Sequence, residues 1–199
     1  MKIYLVRHGE TTSDVENRFG GYYDDYLTEK GKRQAEEMAL FMRDFPLTKI
    51  FFSPRIRTIK TAKALVQILN VTNEEIVDLR ERNTYGVMTG LVKTEAAQKF
   101  PEEFEKIQKD NIHHNVRDSE PYEKFTKRVV EAFSLIVDQG ADLGHYAVIT
   151  HGGVIGTIMR DIFNYEKVSI GDCGIIEIEY DKERREPVSI VALREAEIK

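Results

Sequence analysis

Two histidines with the same surroundings are the residues of this sequence best suited to chemistry. His8 ends the segment IYLVRH, His151 ends the segment YAVITH, and a glycine follows each of them. Arg7 stands directly before the first histidine, so an anion-binding group adjoins one that can move protons near neutral pH. Gly9 has no side chain, so the backbone can pass close to a bound group there. The repeated pattern favours one shared site over two histidines that each merely close a strand.

Each histidine follows a short apolar run, and such runs, rich in β-forming residues, predict buried strands. Ligands of open α/β sheets bind just beyond the carboxyl ends of the strands. If the two predicted strands lie side by side and run parallel, both histidines reach the same edge of one sheet. The two motifs lie far apart in the sequence, as expected of a site that is assembled on a folded scaffold.

The composition limits the class of protein. The chain has 199 residues, of which 41% are apolar and 32% charged, as expected of one globular domain with a substantial core. The net charge of −5 argues against a nucleic-acid surface, which needs a basic face. Cys173 is the single cysteine, so no internal disulfide can form and a reducing compartment is expected. We find no apolar run of membrane-spanning length and no signal peptide, and we predict a cytoplasmic protein.

The motif LVRHGET resembles the signature of the histidine phosphatase superfamily, also called the phosphoglycerate mutase-like family. The resemblance extends from Lys2 to about Phe163. It implies an α/β fold, a three-layer sandwich with a mostly parallel central sheet, helices on both faces and a small helical cap insert. We expect a single domain over residues 1–199, with the cap at about residues 92–120.

The resemblance assigns roles to two further charged residues. Arg57 matches the second arginine of the family, and we expect it one turn into a helix that Ser53 caps and Pro54 begins. Glu81 follows a strand predicted at residues 76–79 and matches the family's acidic residue, which gives a proton to the leaving oxygen. From the sequence alone, Arg57 could also lie on a solvated charged face, and Glu81 in a surface salt bridge.

Four further positions are predicted to bind substrate. In the family, the arginine of the pair Asn17 and Arg18 can line the phosphate pocket, although Arg18 could instead pair with a nearby aspartate on the surface. Lys93 resembles a lysine that holds the substrate carboxylate in phosphoglycerate mutases. Gly152 opens the helix after the second histidine, and the backbone amides at that end would face the phosphate.

Asp14 departs from the family pattern, which usually has an asparagine whose amide donates to the phosphate. It lies in a polar, glycine-containing loop that we predict for residues 12–26. Because an ionised aspartate would repel the phosphate, two explanations stay open. Either Asn17 takes over the role, or the Asp14 carboxylate turns away.

The other segments are predicted to frame the site. Thr28 caps a helix, and a charged helix interrupted by a proline covers residues 94–110. Two antiparallel strands follow near the end of the chain, because apolar and polar residues alternate there. The predicted strands cover residues 174–180 and 188–193, and residues 194–199 are expected to be a structureless tail.

The chemistry that the resemblance implies is phosphoryl transfer. Neutral His8 attacks phosphorus through one ring nitrogen while the other holds its proton against a backbone carbonyl. Arg7, Arg57 and His151 stabilise the charge on the transferring oxygens. Glu81 protonates the departing alcohol, a phosphohistidine forms, and water activated by Glu81 then releases phosphate.

We expect a phosphomonoesterase that acts on a small phosphorylated metabolite. The alternative is a phosphoglycerate mutase, which moves the phosphoryl group between hydroxyls of glycerate and would need 2,3-bisphosphoglycerate. Asn17, Arg18 and Lys93 suit a mutase, whereas the short cap and the Gly-Gly-Val after His151 suit a phosphatase. A non-catalytic phosphate-binding module is the third possibility, and it is disfavoured because binding alone needs neither a nucleophile nor an acid.

No metal and no other cofactor is expected, because arginine and imidazole supply the positive charge. His113 and His114 lie in a predicted loop without cysteines or a carboxylate cluster at ligand spacing, so we interpret them as exposed histidines. The expected partner is the small phosphorylated substrate, without nucleic acid or membrane. The protein is expected to be a monomer or a homodimer.

Overall fold

A twisted sheet runs through the middle of the molecule. The computed structural model describes residues 1–110, 112–113 and 115–198. Its strands are β1 (Lys2–Arg7), β2 (Lys49–Phe52), β3 (Thr72–Glu75), β4 (His145–Thr150), β5 (Val168–Asp181) and β6 (Glu186–Ile198). They lie in the order β3-β2-β4-β1-β5-β6. The pairings among the first four are parallel and those of β5 and β6 antiparallel, which confirms a mostly parallel sheet.

Helices lie between the strands in the chain. In chain order they are α1 (Thr12–Val15), α2 (Glu29–Phe41), α3 (Ile56–Leu69), α4 (Lys93–Lys99), α5 (Pro101–Lys109), α6 (Tyr122–Gln139) and α7 (Gly152–Thr157). Four of them, α2, α3, α6 and α7, pack on the sheet. Short 3-10 turns cover Val77–Leu79 and Gly86–Met88, and a π-helical turn covers Ile158–Ile162. Within the described residues, every helix is too short or too polar to cross a lipid bilayer.

The sheet has a core on each face. Because side chains alternate along a strand, Ile3 and Leu5 of β1 face one core, while Tyr4 and Val6 face the other. Helices α6 and α7 complete the first core, and α2 and α3 complete the second. This arrangement of helix, sheet and helix layers confirms the predicted α/β sandwich.

The register of the two central strands places the histidines together. Strand β1 pairs with β4 so that Arg7 lies opposite Thr150, and each strand ends one residue before its histidine. The backbone N–H of His8 continues the pairing and donates to the carbonyl oxygen of Thr150 at 3.1 Å. The prediction that the two motifs meet at one sheet edge is confirmed.

Helices α4 and α5 have a small core of their own. Phe19, from the loop after α1, packs there against Met88, Ala96, Ile107 and Val116. The proline that begins α5 separates it from α4, as predicted. His113 is exposed, with Nδ1 3.5 Å from Asp110, whereas His114 lies outside the described residues.

Two predicted boundaries near the sheet edges are wrong. The strand predicted at residues 76–79 is instead β3, the polar segment TNEE, which pairs with β2 through its backbone. The apolar residues after it form the 3-10 turn, in which Leu79 is fully buried. The tail predicted as structureless belongs to β6 up to Ile198, which lies opposite Val168.

Two predicted helix starts need correction, and one is confirmed. Arg55, not Ser53, is the N-cap of α3, because the backbone of Arg55 is still extended and the helix begins at Ile56. Residues 12–26 are not all loop, since α1 lies within them. Thr28 caps α2 as predicted, and its hydroxyl accepts from the N–H of Gly31 at 2.9 Å.

Candidate active site

The two histidine rings lie side by side beyond the ends of β1 and β4. Their centroids are 5.2 Å apart, and His8 is 7% and His151 0% exposed. His8 Nδ1 lies 2.9 Å from the carbonyl oxygen of Gly9. Because a carbonyl can only accept, this contact assigns the ring proton to Nδ1. His8 Nε2 therefore carries a lone pair.

Burial keeps both imidazoles neutral. Desolvation lowers the pKa of His8 well below its usual value, and the positive charges of Arg57 and Arg7 lower it further. Desolvation and then Arg57 lower the pKa of His151 in the same way. At neutral pH, His8 thus keeps the unprotonated nitrogen that a nucleophile or base needs.

Arg57 joins the two histidines. Its Nε lies 3.2 Å from His8 Nε2 and 3.2 Å from His151 Nδ1. Its Nη1 donates to the carboxylate of Asp25 at 2.7 Å, and its Nη2 donates to the carbonyl oxygen of Gly21 at 2.9 Å. The buried guanidinium is therefore held in one orientation, as planar recognition of phosphate oxygens requires.

Ser53 orients the second histidine. Its Oγ lies 2.7 Å from His151 Nε2. Because Arg57 can only donate, His151 Nδ1 accepts and the ring proton is on Nε2, which donates to the serine hydroxyl. The sequence predicted this serine as a helix cap, and the structure places it beside the imidazole.

Arg7 is anchored by the far end of the chain. Its Nη1 donates to the carbonyl oxygen of Ile170 at 2.9 Å, and its Nη2 lies 3.4 Å from Asp172. Its Nε is buried and has no hydrogen-bond partner among the described residues. A buried donor without an acceptor is costly, so this N–H is available to a bound anion. A Cβ built on Gly152 would lie 3.8 Å from the same Nε, which places Gly152 beside it.

Glu81 approaches the histidines from a loop. Its Oε1 accepts from the N–H of Arg82 at 2.9 Å, and its Oε2 accepts from the N–H of Gly153 at 3.0 Å. The two N–H groups fix the carboxylate at the start of α7. The loop that carries Glu81 follows the 3-10 turn, not a strand end as the sequence had predicted.

A cavity of 220 Å³ opens between these groups. Most of the residues predicted to act on substrate line it, namely Arg7, Arg18, Arg57, Lys93, His8 and Glu81. Three carboxylates, those of Asp14, Asp25 and Glu81, also line it, so the four cations leave an excess of positive charge. Such a space suits an anion of the size of a phosphate group with a short substituent.

Arg18 and Lys93 reach this cavity, and Asn17 does not. Arg18 Nη1 donates to the carbonyl oxygen of Gly90 at 2.8 Å, and its Nε contacts Glu16, not the predicted aspartate partner. Asn17 is exposed, and its carbonyl oxygen accepts from the N–H of Lys93 at 3.0 Å. The structure therefore gives Asn17 a backbone contact with the start of α4, away from the cavity lining.

Gly9 is required by packing. A Cβ at this position would lie 2.5 Å from the carbonyl oxygen of Gly31 in α2, far inside contact distance. The close approach is therefore between two backbone segments. The expectation that Gly9 makes room for a bound group is not supported by its surroundings, although its carbonyl oxygen holds His8.

The Asp14 carboxylate is engaged in a helix cap. Its Oδ2 accepts from the N–H of Thr11 at 2.9 Å and from the Thr11 hydroxyl at 2.7 Å. This is the capping box of α1, so an aspartate has a local structural role here. Asp14 nevertheless lines the cavity and places a carboxylate beside its cations.

Sequence reasoning missed three residues that hold the site. Asp25 anchors Arg57, Ser53 orients His151, and Arg128 of α6 donates to the carbonyl oxygen of Glu81 at 3.1 Å. A signal existed for Arg128, because this arginine falls on the apolar face of its amphipathic helix. A charge at such a position is expected to have a buried partner.

Within residues 1–110, 112–113 and 115–198, no cluster of three or more histidine, cysteine or carboxylate side chains is arranged to hold a metal ion. The cations of the cavity are side chains of the protein.

The mostly parallel sheet brings two neutral histidines, the buried Arg57, the partly exposed Arg7 and the Glu81 carboxylate together at one edge, beside a cavity that suits a small anion. The chain belongs to the histidine phosphatase superfamily (branch 1), whose sequence profile matches residues 3–192. The resemblance inferred from the motif LVRHGET is confirmed.

The similar proteins include a phosphatase and a phosphoglycerate mutase. The Uncharacterized phosphatase PhoE of Bacillus subtilis (strain 168) is 29% identical over 160 residues, 80% of this chain and 76% of that protein. The 2,3-bisphosphoglycerate-dependent phosphoglycerate mutase 2 of Bacteroides thetaiotaomicron is 38% identical over 107 residues, 51% of this chain and 43% of the mutase. The structure of Bacillus stearothermophilus YhfR superposes with a TM-score of 0.83 at 25% identity, over 98% of this chain and 96% of YhfR.

Proposed function

We propose that this protein is a metal-independent phosphomonoesterase that hydrolyses a small phosphorylated metabolite through a phosphohistidine at His8. The observation that carries the proposal is the contact of His8 Nδ1 with the Gly9 carbonyl, which leaves Nε2 unprotonated beside Arg57. A protein that only bound phosphate would gain nothing from an aligned lone pair, whereas a nucleophile requires one. The phosphatase PhoE, similar over most of both chains, supports this activity.

The first step transfers the phosphoryl group to the protein. The lone pair of His8 Nε2 forms a bond to phosphorus, and the bond from phosphorus to the ester oxygen breaks. That oxygen leaves with the bonding electrons and takes a proton from the carboxyl group of Glu81. The proton on His8 Nδ1 stays bound to that nitrogen, and its hydrogen bond to the Gly9 carbonyl oxygen stabilises the positive charge that develops on the ring.

The second step returns the protein to its starting state. Glu81, now a carboxylate, takes a proton from water while the water oxygen bonds to phosphorus. The bond from phosphorus to His8 breaks, and its electrons return to Nε2. The sum of both steps is one ester and one water converted to one alcohol and one phosphate.

The charge of the transferring group is balanced by side chains. Arg7 offers its unpartnered Nε, and Arg57 offers the Nε that lies between the two histidines. Fixed donors of this kind stabilise the charge on the phosphoryl oxygens without reorganising during the reaction. Since arginine supplies what a divalent cation would otherwise supply, we infer that turnover needs no metal.

A labelling experiment tests the proposal. We expect steady release of inorganic phosphate from p-nitrophenyl phosphate in the presence of a chelator. We also expect a labelled protein after quenching with a ³²P-labelled substrate, stable in alkali and labile in acid, as a nitrogen–phosphorus bond is. Acid-stable label, or activity that a chelator removes and a metal restores, would contradict the mechanism.

The mutase alternative rests on Lys93 in the cavity and on the similarity to a phosphoglycerate mutase over half of this chain. Incubation with 3-phosphoglycerate, with and without 2,3-bisphosphoglycerate, separates the two activities. We expect release of phosphate to be faster than formation of the 2-phospho isomer. The reverse order would assign the protein as a mutase.

Gly153 provides a test of Glu81 without changing the carboxylate. A Cβ at Gly153 would lie 2.3 Å from Glu81 Oε1, so Gly153→Ala must displace the acid. We expect kcat/KM for phenyl phosphate to fall about 10²-fold, the low end of what acid–base catalysis contributes. Gly156→Ala in the same helix is the matched control, because no atom lies within 4 Å of its added Cβ. Equal activity of the two variants would argue against the role of Glu81.

A further inference from the structure

Arg128 is a charged residue in an otherwise apolar part of the molecule. It lies on the face of α6 that packs against the sheet, between Phe125 and Val129, and is 6% exposed. Its guanidinium carbon lies 4.8 Å from the centre of the Phe125 ring. Burying an arginine costs free energy unless its charge is paired and its N–H donors have acceptors. The groups that Arg128 contacts therefore indicate its role.

All five N–H donors of this guanidinium have an acceptor. Its Nη1 donates to the carbonyl oxygens of Asp78 at 2.8 Å and Arg80 at 2.7 Å. Its Nη2 donates to the carbonyl oxygen of Glu81 at 3.1 Å and to Glu120 Oε2 at 2.8 Å. Its Nε donates to Glu120 Oε1 at 2.7 Å. One side chain thus holds three carbonyl groups of the segment that ends at Glu81.

Glu120 holds the same loop from its other side. Besides its two contacts with Arg128, its backbone N–H donates to the carbonyl oxygen of Asn83 at 2.8 Å. Its own carbonyl oxygen accepts from Arg82 Nε at 2.8 Å. Burial disfavours an ionised Glu120, yet the contact with Arg128 keeps the pKa of this carboxyl below its usual value. The pair is therefore ionised at neutral pH.

The loop between the two 3-10 turns has no sheet or helix ladder to fix it. The Glu81 carboxylate is aimed by two backbone N–H groups, one of them on the next residue of this loop. A displacement of the backbone therefore moves the carboxylate relative to His8. Errors of about 1 Å in placing a catalytic group cost about 10²-fold in rate.

We propose that Arg128 and Glu120 are positioning residues, which hold the backbone of the Glu81 loop so that the carboxyl group can reach the leaving oxygen. This inference rests on the proposed function, in which Glu81 is the general acid. Lysine at position 128 would keep the charge opposite Glu120, but its single ammonium group cannot bond to three carbonyls and a carboxylate in one plane.

The leaving group separates a positioning role from a merely structural one. Phenyl phosphate needs a proton on its departing oxygen, whereas 2,4-dinitrophenyl phosphate releases a stable anion. We expect Arg128→Lys to lower kcat/KM for phenyl phosphate at least tenfold and for the dinitrophenyl ester less than threefold. Ile136→Val, a cavity-forming change in the same helix, should leave the ratio of the two substrates at the wild-type value.

A double-mutant cycle tests whether Arg128 acts through Glu81. Glu81→Gln alone should lower kcat/KM for phenyl phosphate selectively, and adding Arg128→Lys should cost less than a further twofold. Equal losses on both esters, or a full additional tenfold loss in the Glu81→Gln background, would overturn the positioning role. If Glu81→Gln itself fails to discriminate between the esters, the proposed general acid is wrong, which is a separate result.

Discussion

Replacement of His8 by glutamine is expected to lower kcat by on the order of 10⁴–10⁶-fold, the loss that follows when a covalent nucleophile is removed. The glutamine amide has no basic lone pair to attack phosphorus, although it fits the same buried space between Gly9 and Arg57. Turnover of p-nitrophenyl phosphate and trapping of labelled protein measure the change. Both signals should vanish together, because both depend on the same bond.

The matched control is His145→Gln. His145 begins β4 at the opposite end of the strand from His151, and its ring lies 3.3 Å from the hydroxyl of Tyr4. We expect this variant to stay within about twofold of the wild type. If His8→Gln retained activity within tenfold while remaining folded by circular dichroism, the phosphohistidine mechanism would be untenable.

Arg57→Lys is expected to lower kcat/KM by about 10³-fold, the size found when an arginine that stabilises transferring oxygens is lost. Lysine keeps the positive charge but lacks the planar guanidinium group. It cannot bind Asp25 and the Gly21 carbonyl and at the same time direct another N–H at both histidines. The variant should also unfold more easily, because the buried Asp25 carboxylate loses its fitted partner. Steady-state kinetics and urea unfolding measure the two effects.

Arg55→Lys serves as the control for charge near α3. Arg55 pairs with Asp24 at 3.0 Å and lies 4.0 Å from the ring of Tyr22. We expect a change in kcat/KM of less than about threefold, because Arg55 does not line the cavity, lysine keeps its charge, and its partner Asp24 is exposed to solvent. Similar losses in Arg55→Lys and Arg57→Lys would mean that general positive charge, and not fixed geometry, is what the site requires.

The proximity of the two histidines could be predicted from the sequence because each directly follows a buried parallel strand. Four apolar residues before Arg7 and four before Thr150 leave little choice of structure, and parallel pairing then brings the strand ends together. The incorrect predictions concern elements at the edges of the sheet. Strand β3 has no apolar pattern, since it lies at an edge of the sheet with polar side chains and pairs with β2 through its backbone and a salt bridge between Glu74 and Lys49.

The supports of the site could not be predicted for a related reason. Arg57 is anchored partly by the carbonyl oxygens of Gly21 and Tyr23, and Arg128 by three others. Every residue has a carbonyl group, so such contacts leave no mark in the pattern of side chains. Only the tertiary structure shows which backbone segments approach these arginines.

The position of β1 between β4 and β5 has a consequence for the order in which the protein acquires its activity. β1 is synthesised long before its two neighbours in the sheet, and Ile170 and Asp172, which hold Arg7, also follow far downstream. Such distant pairings form late in folding. We expect a nascent chain that has not yet reached Asp172 to contain the whole LVRHGET motif and to have no activity.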